Sequence, residues 1–184
     1  MRTGIGLSFL PFFAVTATEA LRQHPIIDSR LEGETIVYPD ADAEHVNIAI
    51  DTEKGLHSTV VRNAGALGVE GFARAIDDLA SRVREGRLTS DDHPDGTFTV
   101  TTAGSRGALY DTPVVFLPRV EILGTGAVTR RPVVLSRAGE DFIVVCSMVY
   151  LELSHDHRIV DGADLVRYLA SVKGRLEATE FVFD

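Results

Sequence analysis

The residues best able to do chemistry lie together in one stretch, Leu153-Ser154-His155-Asp156-His157-Arg158-Ile159-Val160-Asp161-Gly162. An imidazole such as that of His157 can serve as a general acid or base. Asp161 follows four residues later, with Gly162 directly after it, where a β-prone run must give way to a helix. Such a junction can hold an imidazole at the mouth of a cleft while the carboxylate fixes the turn. Asp161 also reads as the N-cap of the next helix, and the two roles are compatible. His155 is read as packing or contacting solvent rather than sharing the chemistry. His24, His45, His57 and His93 are scattered without zinc-ligand spacing, so no metal is expected.

The elements that must position these groups follow from periodicity. Phe9, Phe13, Ala17, Ala20 and Leu21 recur at helical spacing and predict a helix from Ser8 to about His24, with Ser8 as N-cap and Pro11 in its first turn. Ile26 to Leu31 and Thr35 to Tyr38 read as a hairpin. Val46, Ile48 and Ile50 alternate with Asn47, Ala49 and Asp51 as in a strand with one buried face; Glu53-Lys54-Gly55 turns the chain, and Leu56 to Val61 returns. Gly68 to Arg84 is a helix with Phe72, Ile76, Leu79 and Val83 on one stripe.

After a polar loop from Leu88 to Gly96, Thr97 to Thr101, Val114 to Leu117, Val120 to Leu123, Val128 to Leu135 and Phe142 to Leu153 favour strand. Gly104-Ser105-Arg106-Gly107 reads as a tight turn rather than a phosphate loop. A last helix runs from Gly162 or Ala163 to Leu176, with Leu165, Leu169, Val172 and Leu176 inward. The fold class expected is α/β, a two-layer sandwich of a mixed, largely antiparallel sheet with helices on one face.

Composition narrows the function classes. The 184 residues suit one domain, and the net charge of −9 argues against general affinity for nucleic acid or an anionic membrane. The single cysteine, Cys146, lies in an apolar run and is expected to be a buried, inert thiol; one cysteine also suits a reducing compartment. Residues Met1 to Val15 are apolar but short, a lead into a core helix rather than a signal peptide or membrane span. A cytoplasmic location is expected.

Taken together, four segments resemble the catalytic domain of the acyltransferase component of 2-oxo acid dehydrogenase complexes. They are Phe9-Leu10-Pro11-Phe12-Phe13, Ile48 to Leu56, Gly96-Thr97-Phe98-Thr99-Val100-Thr101, and Leu153 to Gly162. Asp111-Thr112-Pro113 and Ile122-Leu123-Gly124-Thr125-Gly126 fall in the family's order. The resemblance implies a chloramphenicol acetyltransferase-like fold and exchange of an acyl group, acetyl or succinyl, between dihydrolipoyl-lysine and coenzyme A. It implies His157 as general base on the attacking thiol, Thr101 as hydroxyl donor to the oxyanion, and Asp161 as a structural carboxylate. It further implies a homotrimer or an assembly of trimers, with the histidine from one copy and the hydroxyl from the next. The lipoyl group would be carried on another domain or protein, and the other complex components would be partners.

Set against the family, residues 1–184 read as a single catalytic domain without its opening portion, and without lipoyl or peripheral-subunit-binding domains. Thr102 stands at a usual Asn, Phe116 and Arg119 at a usual Asn and Gln, and His57-Ser58-Thr59 in place of an apolar run; these bear on substrate affinity. Two other readings accompany the first. One is a catalytically silent core or assembly module of the same fold. The other is an enzyme of chloramphenicol acetyltransferase type acting on a small-molecule acceptor.

Overall fold

The computed structural model describes residues 8–39, 44–53 and 55–181. Three helices lie on one face of a five-stranded sheet of order β4-β3-β5-β6-β9, and two separate hairpins, β1-β2 and β7-β8, project from it. The strands are β1 (Arg30–Glu32), β2 (Thr35–Val37), β3 (Val46–Thr52), β4 (Gly55–Val61), β5 (Phe98–Thr102), β6 (Glu121–Thr125), β7 (Thr129–Arg137), β8 (Glu140–Met148) and β9 (Leu151–His155). The helices are α1 (Leu10–Leu21), α2 (Val69–Glu85) and α3 (Gly162–Ala178). β3 pairs parallel with β5, and β5 with β6; the outer pairs and both hairpins are antiparallel. The expected mixed, largely antiparallel sheet with one helical layer is therefore found. The lead-in at residues 1–7 and the turn residue Lys54 lie outside the described residues.

Alternation along each strand decides which side chains meet the helices. Val46, Ile48 and Ile50 of β3, Phe98 and Val100 of β5 and Leu123 of β6 join Ala14, Ala17 and Leu21 of α1, Phe72, Leu79 and Val83 of α2, and Val172 of α3 in one core. The sequence stripe on α3 missed its deepest residue. Tyr168 is fully buried, edge-on to Phe98, and its hydroxyl donates to the Ala17 carbonyl at 3.1 Å. A tyrosine can enter a core when its one polar atom finds an acceptor there.

Other expectations shift. Phe9, not Ser8, is the N-cap of α1, without a side-chain cap bond, and Pro11 lies in the first turn as expected. Strand in the first hairpin begins only at Arg30, because the chain from Pro25 to Asp28 makes tight turns. Val114 to Leu117 is not a strand: Val114, Phe116 and Leu117 are exposed and unpaired with the sheet. The run Phe142 to Leu153 is two strands. Its first part pairs only with β7, and after Val149-Tyr150 the chain enters the main sheet as β9. Cys146 lies on that first part and is half-exposed rather than buried, since a hairpin standing off the sheet covers one side of its residues only.

Candidate active site

β9 ends at His155, and a short turn carries the chain into α3. Asp156 builds this turn. Its backbone N–H donates to the Val120 carbonyl at 2.8 Å, and its own carbonyl accepts from Ile159 and Val160. Its carboxylate accepts from the Arg158 backbone at 3.1 Å and pairs with the Arg158 guanidinium at 2.5 Å, which holds its pKa below the usual carboxylate range. Val160 is buried and anchors the far side. His157, between two fixed ends, is left exposed at the tip. Its ring lies 5.0 Å from that of His155, centroid to centroid, at an interplanar angle of 46°.

Asp161 is the N-cap of α3. Its Oδ1 accepts from the backbone N–H groups of Ala163 at 2.8 Å and Asp164 at 3.0 Å, and these bonds lower its pKa. The carboxylate thus holds the helix start rather than the imidazole itself, as a capping residue does.

Thr101 lies elsewhere. It is on β5, half-buried, on the face turned away from the helices, and its register partner on β6 is Gly124. Gly124 in turn opposes Glu152 of β9, so Thr101, Gly124 and Glu152 form one row across three strands. A side chain at Gly124 would meet the Pro113 ring at 3.2 Å and the Glu152 carboxyl at 3.4 Å, so the bare backbone is what admits both. Among the described residues neither Glu152 oxygen has a hydrogen-bond partner; burial, with Asp111 adding to it, raises this carboxyl's pKa.

The sheet keeps His157 and Thr101 apart. His155 pairs with Glu121 at one end of β6, whereas Thr101 pairs with Gly124 near the other. Three residues of strand and two strand spacings separate His155 from Thr101, about 14 Å in all. Thr101 also faces away from the helical layer. No rotation of either side chain closes that distance.

Arg119 and Thr102, two departures from the family pattern, are engaged locally. The Arg119 guanidinium donates to the Gly96 carbonyl at 2.8 Å and to the Pro94 carbonyl. The Thr102 hydroxyl donates to the Thr125 carbonyl and accepts from the Gly104 N–H, both at 3.3 Å. Phe116 is exposed, and His57 lies on β4, opposite Ile50. Sequence reasoning missed the carboxyls at Glu121 and Glu152. The signal available was an acid set between apolar residues, as in Val120-Glu121-Ile122 and Leu151-Glu152-Leu153. An alternating pattern assigns such an acid to a solvent face, and both faces of β6 are covered here.

An apolar groove of about 1000 Å³ opens between the base of the β7–β8 hairpin, α1 and α3, lined among others by Phe13, Cys146 and Phe181. It contains none of His157, Asp161 or Thr101. Among the described residues no cluster of His, Cys, Asp and Glu could hold a metal ion, and no helix is long and apolar enough to cross a membrane.

The chain is 47% identical over all its 184 residues to the dihydrolipoyllysine-residue acetyltransferase component of the pyruvate dehydrogenase complex of Mycobacterium bovis, of which it covers 33%. It is 35% identical over 176 residues to the succinyltransferase component of the 2-oxoglutarate dehydrogenase complex of Escherichia coli K12, covering 96% of this chain and 42% of that protein. The chain thus spans between a third and a half of the length of these curated relatives. Among solved structures it is similar to a probable dihydrolipoamide acetyltransferase of Listeria monocytogenes, with a TM-score of 0.91 at 32% identity over 99% of this chain and 76% of the other. A dihydrolipoamide acetyltransferase of Azotobacter vinelandii gives 0.87 at 28% identity, over 95% of this chain and 70% of the other. In that protein the catalytic roles of a serine, a histidine and an asparagine were investigated, the last two four positions apart. Chloramphenicol acetyltransferase shares the fold, with a TM-score of 0.52 at 17% identity over 95% of this chain and 80% of the other. Residues 2–183 match the profile of the 2-oxoacid dehydrogenases acyltransferase (catalytic domain), and the chain belongs to that family.

Proposed function

We propose that this chain transfers an acyl group between a dihydrolipoyl thiol and coenzyme A, at a site assembled from two copies. The imidazole of His157 removes the proton of the attacking thiol. The thiolate adds to the thioester carbonyl carbon and gives a tetrahedral oxyanion. The Thr101 hydroxyl of a neighbouring copy donates to that oxyanion. Collapse of the intermediate expels the other thiol as thiolate, and the imidazolium returns the proton to it. Positioned proton transfer of this sort is worth about 10²–10⁴-fold in rate, and one oxyanion donor about 10²–10³-fold. The acyl group is acetyl or succinyl, the two that the named relatives carry.

The two-copy reading is supported by the sheet register, in which Thr101 neighbours Gly124 near one end of β6 while His155, two residues before His157, opposes Glu121 at the other end. Further support comes from the β7–β8 hairpin. Among the described residues it pairs with no other strand, and it exposes Val134, Ile143 and Val145 on one face and Leu135 and Phe142 on the other. Apolar surface left exposed in this way supports an interaction site on the hairpin. A homotrimer is the assembly proposed, with a lipoyl domain as its substrate carrier and the other complex components around it.

Complementation tests the proposal. His157→Ala and Thr101→Ala are each expected to abolish most turnover of free dihydrolipoamide with acetyl-coenzyme A, while circular dichroism stays unchanged. Unfolding the two variants together and refolding them as mixed oligomers is expected to restore part of the activity. Restored activity requires sites that take His157 from one chain and Thr101 from another. Near-normal turnover in His157→Ala would overturn the assignment, and absence of rescue would overturn the shared site.

A further inference from the structure

Behind the His157 turn lie two buried polar groups that no described residue satisfies. Glu121 is 1% exposed, and neither of its carboxyl oxygens has a hydrogen-bond partner among the described residues. Its directly opposed neighbour across the β6–β9 ladder is His155, whose Nε2 is likewise enclosed and without a partner. Opposed residues of an antiparallel pair point to the same face, with Cβ atoms about 4.5–5.5 Å apart. Side-chain rotation alone therefore brings the carboxyl to the imidazole. The His155 ring in turn lies 5.0 Å from the ring of His157.

The other ionisable groups at this corner are committed elsewhere. Asp156 is paired with Arg158 and held anionic by it. Asp28 accepts from the Thr97 hydroxyl, and the Tyr168 hydroxyl donates to the Ala17 carbonyl. Glu121 and His155 are left to each other.

We propose that Glu121 and His155 form a buried carboxyl–imidazole pair that fixes the ring of His157, which makes both of them positioning residues for the base. The inference rests on the acyl-transfer reading of His157. In the pair the carboxyl O–H of Glu121 donates to Nε2 of His155. A carboxyl in this place is expected to carry its proton at neutral pH, because burial, with Asp156 adding to it, pushes Glu121 up to about 9. The bond sets the tautomer and tilt of the His155 ring, and that ring is the packing surface for the ring of His157.

Kinetics over a pH range, with a double-mutant cycle, test the pair. Glu121→Ala and His155→Phe are each expected to lower kcat on the order of ten- to a hundredfold, the cost of a misplaced catalytic group, with little change in KM for coenzyme A. The double variant Glu121→Ala/His155→Phe is expected to lose less than the product of the single losses, since removing both partners leaves no buried polar group unmatched. Glu121→Gln keeps the shape but cannot ionise; the wild-type kcat profile is expected to show an alkaline inflection that this variant lacks. Losses that multiply independently, an effect on KM alone, or identical profiles for wild type and Glu121→Gln would overturn the pair. His157→Ala is the control. If it is inactive while the Glu121 and His155 variants behave as wild type, the pair fails alone; if it is active, the acyl-transfer reading fails first.

Discussion

At Asp161 one carboxylate oxygen accepts two backbone N–H groups of α3, while His157 four residues earlier stays outside that hydrogen-bond set. Capping and charge therefore separate on substitution. Asp161→Asn keeps an acceptor for both amides and is expected to retain most of the melting temperature and most of the turnover. Asp161→Ala removes the acceptor, frays the first turn of α3 and is expected to lower both. The lowered pKa gives the sign of its pH dependence. The stabilisation is present above 3.8, the ordinary value, and is lost as pH falls through the depressed folded value. Thermal melts of the wild type and both variants at pH 7 and pH 3 check this. The strand-to-helix junction and the N-cap at Asp161 were legible in the sequence because their signals are local. The role proposed for Thr101 comes only from the resemblance to a family, since a threonine on a strand carries no chemical signature. Glu121 and Glu152 show in the sequence only as acids set between apolar residues, and their burial depends on what covers the sheet around them.

The elements were read well where each one's periodicity had a single cause. α2 shows its stripe of Phe72, Leu79 and Val83 in the core, with Ile76 packed against it. The reading failed where extended chain had no partner, as from Val114 to Leu117, and where one apolar run served two sheets, as from Phe142 to Leu153. Pairing is a tertiary fact that propensity does not contain. Packing has a cost as well. Asp28 is 3% exposed, and burial pushes its carboxyl up to about 7 although the Thr97 hydroxyl donates to it. Between the ordinary 3.8 and about 7 the folded protein holds a proton that the unfolded chain has released. Stability therefore falls as pH rises through that window. Asp28→Asn carries no charge at any pH. It is expected to raise stability at pH 8 on the order of a few kcal/mol and to change it little at pH 4, as measured by urea unfolding at the two pH values.

For the whole molecule, the β7–β8 hairpin is the feature that a single copy does not explain. Ile143 is 79% exposed near the tip of β8, so a charge there disturbs no core packing. Light scattering of the purified chain is expected to give three times the 20.0 kDa chain mass. Ile143→Asp is expected to lower that to the chain mass and to abolish turnover while the far-ultraviolet circular dichroism is kept. An assembly indifferent to Ile143→Asp would move the interface elsewhere. The two strands of the hairpin differ in one more respect. β7 carries Arg130, Arg131 and Arg137, and Pro132, which has no N–H to donate. Its outer edge is thus a poor template for another strand. β8 offers Phe142-Ile143-Val144-Val145-Cys146 without a charge or a proline. Its register with β7 is fixed by residues close in sequence, so the ladder can form early in folding, before any partner arrives. A newly made chain waiting for assembly therefore exposes one sticky edge, on β8, and its solubility in that interval depends on how soon another copy covers it.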